Sequence, residues 1–149
     1  MADVSEMVCI DDLIEELQFQ IEFQATPREY DEEDYENFIL RAIRKLYVDT
    51  GRASEYSSDL VVMVRGRTYF NAKLLADEIE YVLLLAQIGF YRAVKASVDE
   101  MVSYTTDALS VTQGDKPYAN LTNTISELER ERRIVFYSMT RYTHGSDDL

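Results

Sequence analysis

NAKLLADEIEYVLLLAQIGFYRAVKASVDEMVSY, residues 71–104, is the stretch whose reading decides the fold. Leu75, Ile79, Val82, Leu83, Ala86, Phe90, Val94, Val98 and Met101 recur at spacings of three and four, the stripe of an amphipathic helix. Leu84, Leu85, Ile88 and Tyr91 widen that stripe until the middle is apolar nearly all round, so the helix must be covered on several sides. Read unbroken from Ala72 to Tyr104, at about 1.5 Å per residue, it is roughly 50 Å long.

Working outward, the segment before this helix is the least regular. Leu60 to Val64 is rich in β-branched residues and favours a strand, but a lone strand has no evident partner within the chain. Leu60 to Phe70 reads as a strand, as a hairpin turning at Arg65-Gly66-Arg67, or as an exposed arm whose free edge pairs with another copy. Further upstream, Tyr35, Phe38, Ile39, Ala42, Ile43, Leu46 and Tyr47 form the apolar face of a helix over 27–50, with Gly51 as its stop. Thr26, Pro27 and Glu29 match a capping box with proline at the first helical position. The acids of this helix precede Arg41, Arg44 and Lys45, the order that the helix dipole favours. Ile10, Leu13, Ile14, Leu17 and Ile21 predict a first helix ending near Gln24, with Cys9 as a small core residue at its head.

Downstream, Thr105 to Pro117 carries turn chemistry and predicts a loop. Asn120, Thr122 or Asn123 then caps a last helix whose apolar positions are Leu121, Ile125, Leu128, Ile134, Val135, Tyr137 and Met139. Residues 1–8 and 143–149 read as flexible ends. The whole is one mainly α domain over 1–149, a four-helix, bundle-like fold with one long central helix and a short strand or hairpin arm near residues 60–70.

The chain has 149 residues, 46% of them hydrophobic and 11% aromatic, enough for a core without disulfide or metal. A lone cysteine forms no intrachain disulfide, and the N-terminus lacks the basic flank of a secretory signal. Apolar runs are too short and too interrupted by Gln87, Arg92 and Lys95 to cross a membrane. The net charge is −13, and residues 1–36 hold thirteen acids against Arg28 alone. Binding of nucleic-acid phosphates as a main activity is therefore not expected, since that needs clustered Lys and Arg. The acidic third reads as a solvated face, or as a surface that meets a basic partner or repels a polyanion.

No reaction chemistry stands out. His144 is the only histidine and Arg141 stands three residues before it, so the Glu-x-x-His pairs of a di-iron bundle are absent. One Cys and one His do not make a zinc site. The run Asp31 to Glu36 lacks the residue order and glycine of a calcium loop. Glu29/Glu32 and Glu33/Glu36 match half of the magnesium-binding pattern of all-α nucleotide pyrophosphatases, but no Glu-x-x-Asp completes it. Neither a catalytic triad nor a phosphate-cradling loop is found. No catalytic residue, cofactor or metal is assigned, and an enzyme is not expected.

Of the tyrosines, Tyr47, Tyr81, Tyr91 and Tyr137 read as core-edge residues whose hydroxyls reach solvent. Tyr56, Tyr69, Tyr104, Tyr118 and Tyr142 lie in or beside loops and ends, where aromatics often serve interfaces. Arg65 and Arg67, close to Tyr69 and Phe70, fit either a contact with an acidic surface or a solvated turn.

The run Glu78-Ile79-Glu80-Tyr81 to Phe90-Tyr91, then Val102-Ser103-Tyr104-Thr105-Thr106-Asp107-Ala108-Leu109-Ser110-Val111 and Asp115-Lys116-Pro117-Tyr118, resembles the head–tail connector (adaptor, or head-completion) proteins of tailed bacteriophages. The resemblance covers roughly residues 71–140. It implies a helical subunit of a ring, commonly of about twelve copies, whose neighbours meet through heterologous contacts. Such a ring docks on the portal, binds the next neck or tail-completion protein, and lets DNA pass through without specific binding. It implies a virion protein of the head–tail interface, assembled in the host cytoplasm, with no membrane partner. On this reading Arg65, Arg67, Tyr69, Phe70, Tyr104, Tyr118, Arg141 and Tyr142 are candidate subunit or portal contacts. Asp31, Glu32, Glu33 and Asp34 are candidate channel-facing acids that repel DNA. The alternative is a small acidic interaction protein, a DNA mimic or a regulator that binds a basic partner.

Overall fold

A computed structural model describes residues 6–21, 30–104 and 111–147. It is mainly helical, with strand β1 (Val8–Cys9), helices α1 (Ile10–Gln20) and α2 (Glu32–Asp49), strands β2 (Val61–Val64) and β3 (Arg67–Phe70), and helices α3 (Ala76–Tyr104) and α4 (Val111–Asp147). Two short 3-10 turns, Ala53–Glu55 and Ser58–Leu60, link α2 to β2.

α3 is the predicted central helix, starting four residues later than Ala72. Leu74 is buried ahead of it, whereas Leu75 is half exposed and sits at the helix start rather than on the stripe. Tyr81 to Ala86, Ile88, Phe90, Tyr91 and Val94 are all buried. α3 packs on α2 along one side and on α4 along another, while α1 covers α2, β3 and α3. The main core joins Ile10, Leu13, Ile14 and Leu17 of α1 to Ile39, Ile43 and Leu46 of α2 and to Tyr81 and Val82 of α3. A second cluster gathers Phe90, Tyr91 and Val94 against Leu121 of α4. Tyr30, Tyr35 and Phe38 ring Phe90 at centroid distances of 5.1, 6.0 and 6.0 Å, spacings at which aromatic pairs attract beyond their area burial.

α2 begins at Glu32 rather than at Pro27. Thr26 and Pro27 lie outside the described residues, but Tyr30 and Asp31 precede the helix and Asp31 is its cap. The Asp34 N–H donates to Asp31 Oδ1 at 2.9 Å and the Asp31 N–H donates to Asp34 Oδ2 at 3.1 Å, so two free amides at the helix start are satisfied reciprocally. The two acids that make this cap, Asp31 and Asp34, stand at the ends of the acidic run 31–34. At the other end Gly51 adopts φ +75° just beyond the C-cap Thr50, the left-handed stop expected of it. α1 ends at Gln20, with Ile21 as C-cap, rather than near Gln24.

The segment 60–70 is a hairpin. Arg65 and Gly66 both take positive φ, +52° and +79°, the two-residue turn whose twist matches the flanking strands. β3 is not left unpaired on its other side: β1 adds antiparallel to it, Val8 opposite Phe70 and Cys9 opposite Tyr69, giving the order β1-β3-β2. Val8, expected in a loose N-terminal end, is thus part of a sheet.

α4 starts at Val111, within the expected loop, and runs through Gly114, Pro117 and Asn120 to Asp147. Glycine and proline in a helix interior cost about 1 and 3 kcal/mol. Packing on α3, through Leu121, Ile125 and Leu128 onward, outweighs that local preference. Val135, Phe136 and Met139 continue the packed side, whereas Ile134 and Tyr137 face outward, 59% and 64% exposed.

Candidate interaction surfaces

The hairpin residues read as contacts have divergent fates. Phe70 is 0% exposed and belongs to the core, between Tyr47 and Tyr56 at centroid distances of 5.9 and 6.3 Å. It is no surface contact; the pairing of β3 on both edges places it over α2 and α1. Arg67 is exposed but engaged, its Nη2 donating to Asp12 Oδ1 at 2.7 Å. That bond, foremost, holds the guanidinium pKa above its ordinary value. The Thr68 N–H donates to Asp11 Oδ2 at 3.1 Å, so the acids at the head of α1 clamp the hairpin. Arg65 is exposed at the turn, and Tyr69 is half-buried. The side chains of Tyr104, Tyr118, Arg141 and Tyr142 lie outside the described set. Of the four candidate repelling acids, Asp31 and Asp34 form the α2 cap, and Glu32 and Glu33 are exposed in the first turn, where the helix dipole favours them.

A feature that sequence reasoning missed lies between α2, α3 and α4. A groove of about 670 Å³ is rimmed by Arg41 and Lys45 of α2, Arg92 of α3 and Arg132 of α4, with Glu129 as its one carboxylate. Phe38, Ala42, Leu85, Ile88 and Gly89 supply the apolar floor. Arg41, Arg44 and Lys45 had an adequate local explanation in the helix dipole, yet the last turn of α2 carries no base and the dipole effect fades beyond one turn. The signal available was their placement at i, i+3 and i+4 on one face, beside Val48, which is 55% exposed.

Below the groove a hydrogen-bonded relay ties the three helices together. Lys45 Nζ donates to Asp49 Oδ1 at 3.2 Å, and Tyr81 Oη donates to Asp49 Oδ2 at 2.6 Å. Arg132 Nη1 donates to Tyr81 Oη at 3.1 Å and its Nε to Glu129 Oε2 at 2.9 Å. Arg92 Nη2 completes the chain by donating to Glu129 Oε1 at 2.8 Å. The Tyr81 hydroxyl therefore ends inside the protein rather than in solvent, and Tyr81 is 0% exposed. The described groove lining offers positive charge, hydrogen-bond donors and the Glu129 carboxylate.

Burial, then donation to Asp49, pushes the Tyr81 phenol up to about 12 from 10, with Arg132 opposing. Because the folded state holds this proton more tightly than the unfolded chain, its stabilisation is intact below pH 10 and is lost as pH rises from 10 through about 12. Equilibrium unfolding across that window is expected to show a steeper alkaline loss in the wild type than in Tyr81→Phe. Equal slopes would mean the relay does not hold the proton.

Among the described residues no group of three or more His, Cys, Asp or Glu side chains is placed to hold a metal ion. No described helix is long and apolar enough to cross a membrane. Comparison with protein-family models, with curated proteins and with solved structures found no match for the chain.

Proposed function

We propose that this chain is a structural subunit of the bacteriophage neck, one of a ring of copies that joins the portal to the next neck or tail-completion protein and surrounds the DNA path. The observation that carries the reading is the spread of large exposed apolar side chains over unlike elements: Phe19 on α1 (86% exposed), Met63 on the hairpin (73%), and the pair Ile134 and Tyr137 on α4. A ring built from one kind of subunit needs two unlike patches that meet head to tail. Aromatic and aliphatic anchors on different elements are suited to that use. The acid surplus of residues 1–36 supports the same reading, because a negative surface near a channel lets DNA slide rather than stick.

Native mass spectrometry of the protein mixed with the portal ring encoded by the same genome tests this. A fixed, ring-sized number of copies added to each portal is the expected result. No addition, with the free protein remaining a small oligomer, overturns the reading and puts the acidic interaction protein first.

A further inference from the structure

In a chain with 28 acids and 15 bases, most cations should find a carboxylate within their own subunit. Arg41 and Arg44 do not: both are exposed and neither makes an ion pair among the described residues. On the groove rim Lys45, Arg92 and Arg132 share two carboxylates, Asp49 and Glu129, among the described residues. Lys45 and Arg92 keep 56% and 61% of their side chains in solvent. The groove is thus a locally positive, apolar-floored depression on a strongly negative protein.

α1 presents the complementary shape. Its inner face, Ile10, Leu13, Ile14 and Leu17, is locked in the core. Its outer face carries Glu15, Glu16 and Phe19, with both carboxylates within one turn of the ring. Phe19 is 86% exposed, the most exposed of the large hydrophobic residues described. Glu15 makes no ion pair among the described residues, and Glu16 only accepts from Gln20 at 3.1 Å. The remaining acids at the head of this helix, Asp11 and Asp12, are already committed to the hairpin through Arg67 and Thr68. Because the inner face of α1 is held in the core of its own chain, the outer face is offered to a groove on another molecule, and the groove of a second copy has the complementary charge.

We infer that the groove between α2, α3 and α4 receives the Glu15–Glu16–Phe19 face of α1 from a second copy of this chain, with Phe19 on the apolar floor and the two glutamates against Arg41 and Lys45. The inference rests on the ring reading for its need of a repeating contact, and it supplies that contact. The two surfaces are unlike, so the interaction is head to tail and leaves one groove and one α1 face open at each end of any unclosed assembly. An aromatic anchor in a pocket with charges around it carries both binding energy and orientation. Single exposed ion pairs contribute little on their own, so the aromatic and the charges act together.

The test uses sedimentation equilibrium of the full chain with two variants, R41E/K45E in the groove and E15K/F19S on the α1 face. All four side chains are exposed, and a cooperative circular-dichroism melt is the control that both variants fold; K45E is expected to lower its midpoint modestly, because Lys45 leaves its bond to Asp49. The wild type is expected to associate at low salt and to weaken at least tenfold when ionic strength rises from roughly 0.05 to 0.5 M. Each variant alone is expected to associate at least tenfold more weakly. Mixed one to one, the intact face of R41E/K45E meets the intact groove of E15K/F19S, and association returns. R41Q/K45Q should lie between the wild type and the charge reversal. A wild type that stays monomeric at all salts overturns the groove contact. So does undiminished association of either variant, or failure of the mixture to recover. The ring reading is decided separately by the portal experiment. There, R41E/K45E adding to the portal in the wild-type number would also overturn the groove contact while leaving the ring intact.

Discussion

Phe70→Ala is expected to remove about 3–5 kcal/mol of folding stability, the cost of emptying a fully buried aromatic site. Phe70 is 0% exposed, sits between the Tyr47 and Tyr56 rings, and lies opposite Val61 on one side and Val8 on the other. It is where the three-stranded sheet meets the helical core, so its loss affects the sheet and α2 together. Against a total of about 5–15 kcal/mol for a domain, the variant would be marginal at best. Urea unfolding followed by circular dichroism measures it, with a large fall in midpoint expected. A loss below about 1 kcal/mol would show that Phe70 is not the anchor described. The same measurement separates a core role from a contact role, since a pure subunit contact would leave the monomer's stability alone.

Arg52→Ala is expected to cost about 2–4 kcal/mol, because it strands a buried carboxylate. Glu78 is 8% exposed and is the one charged residue among the buried ones described. Arg52 Nη2 donates to Glu78 Oε2, while Glu78 Oε1 accepts from the Leu75 N–H at 2.9 Å. Glu78 thus satisfies a free amide at the start of α3 and ties that start to the end of α2. The Arg52 guanidinium lies 5.0 Å above the Tyr47 ring, and its Nε donates to Thr50 Oγ1 at 3.2 Å, which fixes its direction. A second variant identifies the cause. Glu78→Gln keeps an oxygen for the Leu75 amide but removes the charge, so R52A/E78Q should recover a large part of the loss. If the double variant is as unstable as the sum of the singles, the stranded charge is not the reason, and lost packing of the arginine on Tyr47 takes its place.

Periodicity carried much of the fold. The apolar stripe of α3 and the inner faces of α1 and α2 were legible because a helix repeats its buried positions at three and four residues whatever it packs against. Gly51 was legible for the same reason: a left-handed stop is a local matter of missing Cβ atoms. The turn at Arg65-Gly66 was visible as one option among three. The ladder between β2 and β3 makes it the hairpin. β1, two residues long and without a signal of its own, adds to the other edge of β3 and makes that strand the centre of a sheet. The helix starts at Glu32 and Val111 were misread because competing signals, Thr26-Pro27 and the Gly114/Pro117 pair, were locally plausible.

The sequence by itself determined the mainly α class, the number of long helices, the inner faces of the first three, and an acid surplus concentrated in the first third. Only the tertiary structure decided that Phe70 is core, that Arg67 is spent on Asp12, that the Tyr81 hydroxyl is bonded inside, and that four cations share one groove. The reason is range. Helix faces depend on neighbours a turn apart, whereas Arg67 meets Asp12 across 55 positions, Tyr81 meets Asp49 across 32, and Arg132 meets Tyr81 across 51. Such meetings follow from which apolar faces pack together, and charges along a chain do not record that until the helices have docked.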